Sequence, residues 1–188
     1  NRADVILKAQ WPKGHWPWGA RLGENFVRIQ DGFNNEPFWI MLYAYKLSGD
    51  KKYFESARRC ADVLLSLQRR NGGWPDQWSF NGRLSGHSGV MQGVSFNDNA
   101  TNSCVQMMVV MYHMTADKKY IARLSELGKF IAKSKMGDGM VVGWCEQYND
   151  DGRPVRARQY EIELPYPRAL TRGVGPLLVW LYLMDDNE

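Results

Sequence analysis

The stretch "IQDGFNNEPFWIMLYAYKLSGDKKYFESA" (Ile29–Ala57) returns 67 residues later as "FNDNATNSCVQMMVVMYHMTADKKYIARL" (Phe96–Leu124). Asp31 falls on Asp98, and "GDKKY" falls on "ADKKY". A fixed offset of this size marks a repeated supersecondary unit. In each copy an almost unbroken apolar run comes first, over 34–48 and 99–115. Such a run reads as an inner helix buried on most sides. An amphipathic run follows, over 51–70 and 117–135, with Phe54, Ala57, Ala61, Leu64 and Leu65 spaced at the helical period among Lys and Arg. That is an outer helix. "SGD" and "TAD" between them are short antiparallel connections, each with an Asp placed to cap the next helix.

Outward from this pair, the preceding loops repeat too. "LKAQWPKGHWPW" aligns with "LSLQRRNGGWPD", which matches Gln10 to Gln68, Trp16 to Trp74 and Pro17 to Pro75. A weaker third copy, "DGMVVGWCEQY", puts Trp144 in the same place. A last apolar run covers 173–184, and "ADVILKAQ" at the start reads as the tail of another outer helix. The expected architecture is all-α: an α/α toroid of about three helical hairpins in a single domain over 1–188, with a segment expected before it. An open α-solenoid is the alternative, and the apolar inner helices favour closure. Long Gly- and Trp-rich loops then share one end, tight turns the other. Function is expected at the loop end, where loops sit on a rigid scaffold.

Composition narrows the partners. A net charge of +4 suits an acidic polymer, and no run of five Lys or Arg appears, which speaks against nucleic acid. No stretch of 18 apolar residues is present, so no membrane span is expected. Three cysteines without a CxxC pair and three histidines give no zinc signature. Cys60 and Cys104 read as core thiols. His15, His87 and His113 fit no triad. The sequon Asn99-Ala100-Thr101 sits at a helix start and reads as chance. Aromatic residues make up 13% of the chain, which suits a sugar-binding cleft as well as a core. Trp74 and Trp144 are therefore candidates for sugar contact, and their loop positions equally suit structural staples.

The residue just before each inner helix points to the common mouth: Asp31, Asp98 and, in the third unit, Arg172. Each Asp has an ordinary reading as a helix cap. Together the two carboxylates, with nearby Asn oxygens, are hard ligands suited to Ca²⁺. Arg153, Arg156, Arg158, Arg168 and Arg172 crowd one segment, with Arg83 in the loop before it. Arg pairs with carboxylates in a fork geometry. Arg153 and Arg156 read as a solvated loop, while Arg158 and Arg172 are the better candidates.

Three blocks, "ADVLLSLQRRNGGWPDQ", "VSFNDNAT" and "GWCEQYNDDGRPVRARQYE", resemble the pectate lyases of polysaccharide lyase family ten. In the third block Trp144, Gln147, Tyr148, Pro154, Arg158, Tyr160 and Glu161 fit the family pattern in order. The resemblance covers about residues 3 to 184. It implies an α/α toroid that cleaves an acidic, uronate-containing polysaccharide, polygalacturonate above all, by β-elimination with Ca²⁺. It further implies Arg172 as the base, Arg158 as a partner for a substrate carboxylate, Asp31 as a Ca²⁺ ligand with Asp98 nearby, and Arg83 in substrate binding. Tyr160 is a second candidate base and substrate contact. A secreted or periplasmic monomer goes with this reading. Two departures stand out. The family's "DNGAT" is "DGFNN" here, and its "GGWPKN.D" is "GHWPWGARL", with Trp18 and Arg21 near the places of a Lys and an Asp. Two rivals remain at this point: a uronide hydrolase using Asp31 and Asp98 as its carboxylate pair, and a non-catalytic carbohydrate-binding module.

Overall fold

The computed structural model describes residues 2–17, 23–82, 93–138, 141–156, 165 and 169–184. Among these residues six helices carry the fold: α1 (Arg2–Ala9), α2 (Asn35–Ser48), α3 (Lys51–Ser66), α4 (Ala100–Thr115), α5 (Leu124–Lys133) and α6 (Gly175–Met184). The class is all-α, with helical hairpins of the α/α kind. Helices α2 and α3 form the first full hairpin, joined through Gly49 and Asp50. Helix α4 leads to α5 through Ala116 and Asp117. Both Asp side chains cap as the sequence suggests. Asp50 accepts from the Lys52 amide at 3.0 Å, and Asp117 from the Lys119 amide at 3.0 Å.

The "DKKY" motif has a role beyond the turn. Tyr53 donates its hydroxyl proton to Asp4 at 2.8 Å, and Lys52 reaches the same carboxylate at 3.2 Å. One unit later Tyr120 donates to Asp62 at 2.8 Å and Lys119 reaches it at 3.0 Å. Each motif thus clasps the outer helix of the preceding unit. The expected second outer helix over 117–135 is broken: a short 3₁₀ turn (Lys118–Tyr120) precedes α5. The aromatic loop before it lies close to the chain at this point: a Cβ at Gly72 would lie 2.4 Å from the Arg123 carbonyl oxygen.

Helix α4 packs on α3, α2 and α6, and it is buried along most of its length. The other two inner helices differ from expectation. Only Phe38, Met41 and Leu42 of α2 are buried, and only Leu177 of α6. Leu47 on α2 is 86% exposed and Tyr182 on α6 is 68% exposed. The α/α-toroid class of helical hairpins is as expected; within it α4 has inner neighbours on both sides, and α2 and α6 each keep an apolar side outward. Cys60, Cys104 and Cys145 are all buried free thiols, as expected for the first two.

Among the described residues three two-stranded ladders, absent from the sequence reading, sew the long loops together. β1 (Phe26–Arg28) pairs antiparallel with β2 (Gln77–Ser79), and β3 (Val94–Ser95) with β6 (Gln147–Tyr148). Each joins the loop of one unit to the loop of the next. The third ladder, β4 (Met136–Asp138) with β5 (Val141–Gly143), is local. Strands of two or three residues lie below the length at which alternation can be read.

Candidate active site

The aromatic loops are built alike. Trp16 donates its indole N–H to the Ile6 carbonyl at 2.8 Å, Trp74 to Leu64 at 2.8 Å, and Trp144 to Ile131 at 2.9 Å. Each ring is tied back to its own outer helix. Gln10 donates to the Gly14 carbonyl at 2.6 Å and Gln68 to the Gly72 carbonyl at 2.9 Å, closing the same loop twice. The backbone N–H of Trp16 donates to Asn34 Oδ1 at 2.9 Å, and that of Trp74 to Thr101 Oγ1 at 3.2 Å. Asn34 and Thr101 are themselves one repeat apart. Trp74 is fully buried and Trp144 nearly so. Neither offers a face to a sugar ring, so the substrate-contact reading of these two gives way to the staple reading.

These staples fix where the inner helices begin. The backbone N–H of Asp31 donates to the carbonyl oxygen of Asp98 at 3.2 Å. The two repeat-related residues therefore meet. Both adopt the left-handed conformation, with φ of 61° and 44°, and Asn99 follows at 61°. Asp and Asn tolerate this region better than other residues with a Cβ, at an energetic cost that concentrates at functional sites. At the helix starts themselves, neither Asn34 at α2 nor Asn99 at α4 makes a side-chain cap bond. Asn34 instead donates to the Arg28 carbonyl at 2.6 Å, and Asn97 donates to Asp98 Oδ2 at 2.9 Å. A polar hollow of about 350 Å³ opens at this junction, lined by Asp31, Gly32, Asn35, Glu36, Asp98, Asn99 and Ser103.

The third unit arrives at the same place. Residues Ala169–Val174 form a π-helical turn leading into α6. Such turns recur at functional sites. A Cβ at Gly173 would lie 2.7 Å from the Phe96 carbonyl oxygen. Only glycine lets this backbone, with Arg172 in it, lie against the segment that carries Asp98. The backbones of Asp31, Asp98 and Arg172 are thus gathered at the loop end, as their positions in the repeats predict. Arg83, Arg158 and Tyr160 lie outside the described residues, as do Trp18 and Arg21.

Sequence reasoning missed the group behind Asp31. Arg28 Nη2 sits 2.9 Å from Asp31 Oδ2, with the Arg side chain 9% exposed and the Asp side chain 40% exposed. With the Gln30 amide turned to satisfy its neighbours, its nitrogen donates to both Asp76 carboxylate oxygens, at 2.9 and 3.1 Å. Its oxygen then accepts from Arg28 Nε at 3.3 Å. Asp76 is fully buried, and its carbonyl accepts the backbone N–H groups of Ile29 and Gln30. A relay of Asp76, Gln30, Arg28 and Asp31 results. The only signal in the sequence was the pair of polar residues inside "FVRIQD".

A sequence model of the pectic acid lyase family matches residues 34–184. The chain belongs to the pectic acid lyase family. Solved structures with the same fold include a family 10 polysaccharide lyase from Cellvibrio cellulosa. An aspartate-to-alanine variant of it in complex with trigalacturonic acid superposes at a TM-score of 0.74 with 22% identity, over 95% of this chain and 59% of that one. The unsubstituted enzyme gives 0.72 and 20%, over 96% and 63%. A cellobiose 2-epimerase from Bacillus thermoamylovorans gives 0.65 and 13%, over 96% and 45%. This pectic acid lyase chain therefore spans about three fifths of the length of the two lyase structures. Comparison with curated protein sequences gives no match. No helix among the described residues is long and apolar enough to cross a membrane.

Proposed function

We propose that the loop end is the catalytic centre of a polysaccharide lyase that cleaves a uronate-containing polymer, polygalacturonate first, by β-elimination. The observation that carries this reading is the meeting of Asp31, Asp98 and the Arg172 segment, in a chain of the pectic acid lyase family. The C5 proton of a uronate lies α to its carboxylate. Neutralising that carboxylate stabilises the enolate-like intermediate, after which the C4 oxygen leaves. Arg158 and Arg83 would bind substrate carboxylates through paired N–H groups. Arg172 would take the C5 proton. A guanidinium serves as a base only where clustered cations favour its neutral form, and the Arg-rich segment supplies such a neighbourhood.

Calcium fits the chemistry of the hollow, whose side-chain donors are carboxylate, amide and hydroxyl oxygens without a thiol or imidazole. Among the described residues no three His, Cys, Asp or Glu side chains form a ready-made cage, so Asp31 and Asp98 would share the ion with softer demands on Asn, Ser, water and substrate oxygens. Bound there, the ion would supply positive charge to a substrate carboxylate. A polymeric substrate goes with a secreted or periplasmic monomer. The hydrolase alternative is the weaker one, because Asp31 is already engaged by Arg28 and the family speaks for elimination.

The test is the ultraviolet absorbance of an unsaturated uronide formed from polygalacturonate, followed with calcium and with chelator. Arg172→Ala is expected to lower kcat by about 10²–10⁴-fold while binding of an acidic oligosaccharide largely survives. A near wild-type kcat would move the base to Tyr160. Reducing sugar released without the conjugated product would give the hydrolase reading the field.

A further inference from the structure

The two aspartates share a backbone conformation. Asp98 receives a neutral amide from Asn97, whereas Asp31 receives a guanidinium from Arg28. Position 95, the repeat partner of Arg28, is a serine. The guanidinium is no loose surface charge. Its side chain is 9% exposed, it rides on the β1–β2 ladder, and Gln30 holds its Nε side from the buried Asp76. A buried cation is costly to leave without its carboxylate partner, so Arg28 does not swing away at little cost when a second cation arrives.

We infer that Arg28 competes with calcium for the Asp31 carboxylate and sets the metal affinity of this hollow below that of the same oxygen ligands without it. The inference rests on the calcium reading proposed above. Its physical basis is the repulsion between like charges that share one anion. A neighbouring charge at contact distance shifts an ionic equilibrium at a carboxylate by about one to three powers of ten. The site keeps a resident cation on Asp31, and calcium has to share that carboxylate with it. Arg28 is thus a positioning and tuning residue that acts through Asp31.

Calorimetric titration of the whole chain with calcium chloride tests this, with no substrate present. Arg28→Gln keeps a hydrogen-bond donor but removes the charge, and circular dichroism checks its fold. It is expected to bind calcium at least about tenfold more tightly than wild type, while Arg28→Lys stays within about threefold. Unchanged or weaker binding by a folded Arg28→Gln, or no calcium heat from either protein, overturns the inference. Should Arg28→Gln not fold, Arg28→Met, which keeps the length of the side chain without its charge, takes its place. It too is expected to bind calcium at least about tenfold more tightly than wild type, and unchanged or weaker binding overturns the inference. Failure of the lyase reading shows separately, as absence of unsaturated product at every calcium concentration.

Discussion

At the tight-turn end the two repeat units are nearly superimposable in chemistry. Tyr53, Lys52 and Asp4 are matched by Tyr120, Lys119 and Asp62, down to equal 2.8 Å hydroxyl bonds. Each Lys also lies 4.7 Å from the ring centre of its neighbouring Tyr. At the loop end the same backbone frame carries different side chains. Arg28 answers to Ser95, Gln30 to Asn97 and His15 to Gly73. The staples Trp16 and Trp74 stay constant beneath this variation. Duplicated scaffold holds the helices in place, and the groups that differ are those around the hollow and its supporting loops.

The largest expected effect breaks the constant part. Trp74 is fully buried, with its indole N–H bound to Leu64. Trp74→Ala should cost about 3–5 kcal/mol, read from urea unfolding. A stable variant with weakened sugar binding would return Trp74 to the substrate site.

The next prediction uses a difference between the units. His15 is buried where the second unit has Gly73, and burial pulls its pKa down to about 4. The fold thus favours the neutral ring. The unfolded chain takes up a proton near the ordinary value of 6.5, so stability is complete above that pH and falls as pH drops toward 4. The loss is as much as about 3 kcal/mol across that window. Urea midpoints of wild type and His15→Gln between neutral and acid pH should diverge, with the variant flatter. Parallel profiles would place the acid sensitivity elsewhere.

The smallest effect sharpens the tight-turn comparison. Helix α2 ends on Gly49 at φ 71°, and α4 ends on Ala116 at φ 57°. A left-handed conformation suits glycine and strains alanine. Ala116→Gly should stabilise and Gly49→Ala destabilise, each by about 1–2 kcal/mol of backbone strain, since a Cβ at Gly49 meets open space and adds no clash. Melting temperatures that move in the same direction would show that the two turns are not equivalent.

Most of the helical scaffold was legible because its signals are local or periodic. The offset of 67 residues located α2 with α4 and the "DKKY" turns. The apolar period separated inner from outer helices, and the two Asp positions followed from the repeat. The broken outer helix was not legible, because the apolar positions run on through Tyr120 and Leu124 while the helix is interrupted between them. Nor was the exposure of α2 and α6: an apolar run tells that a face wants burial, not which neighbour covers it.

The sequence by itself determined the helix content, the repeat, the end of the molecule where loops gather, and the family resemblance. Those follow from periodicity and from motifs that travel along the chain. Only the tertiary structure decided that Asp31 and Asp98 share a hydrogen bond, that Trp74 and Trp144 are staples, and that Gly173 brings the Arg172 turn onto Phe96. Only it revealed Arg28 on Asp31, with Gln30 and the buried Asp76 behind it. The physical reason is that a hydrogen bond or an ion pair needs two groups at about 3 Å in the right orientation, and only the folded backbone sets that, for neighbours such as Arg28 and Asp31 as for distant residues such as Asp31 and Asp98.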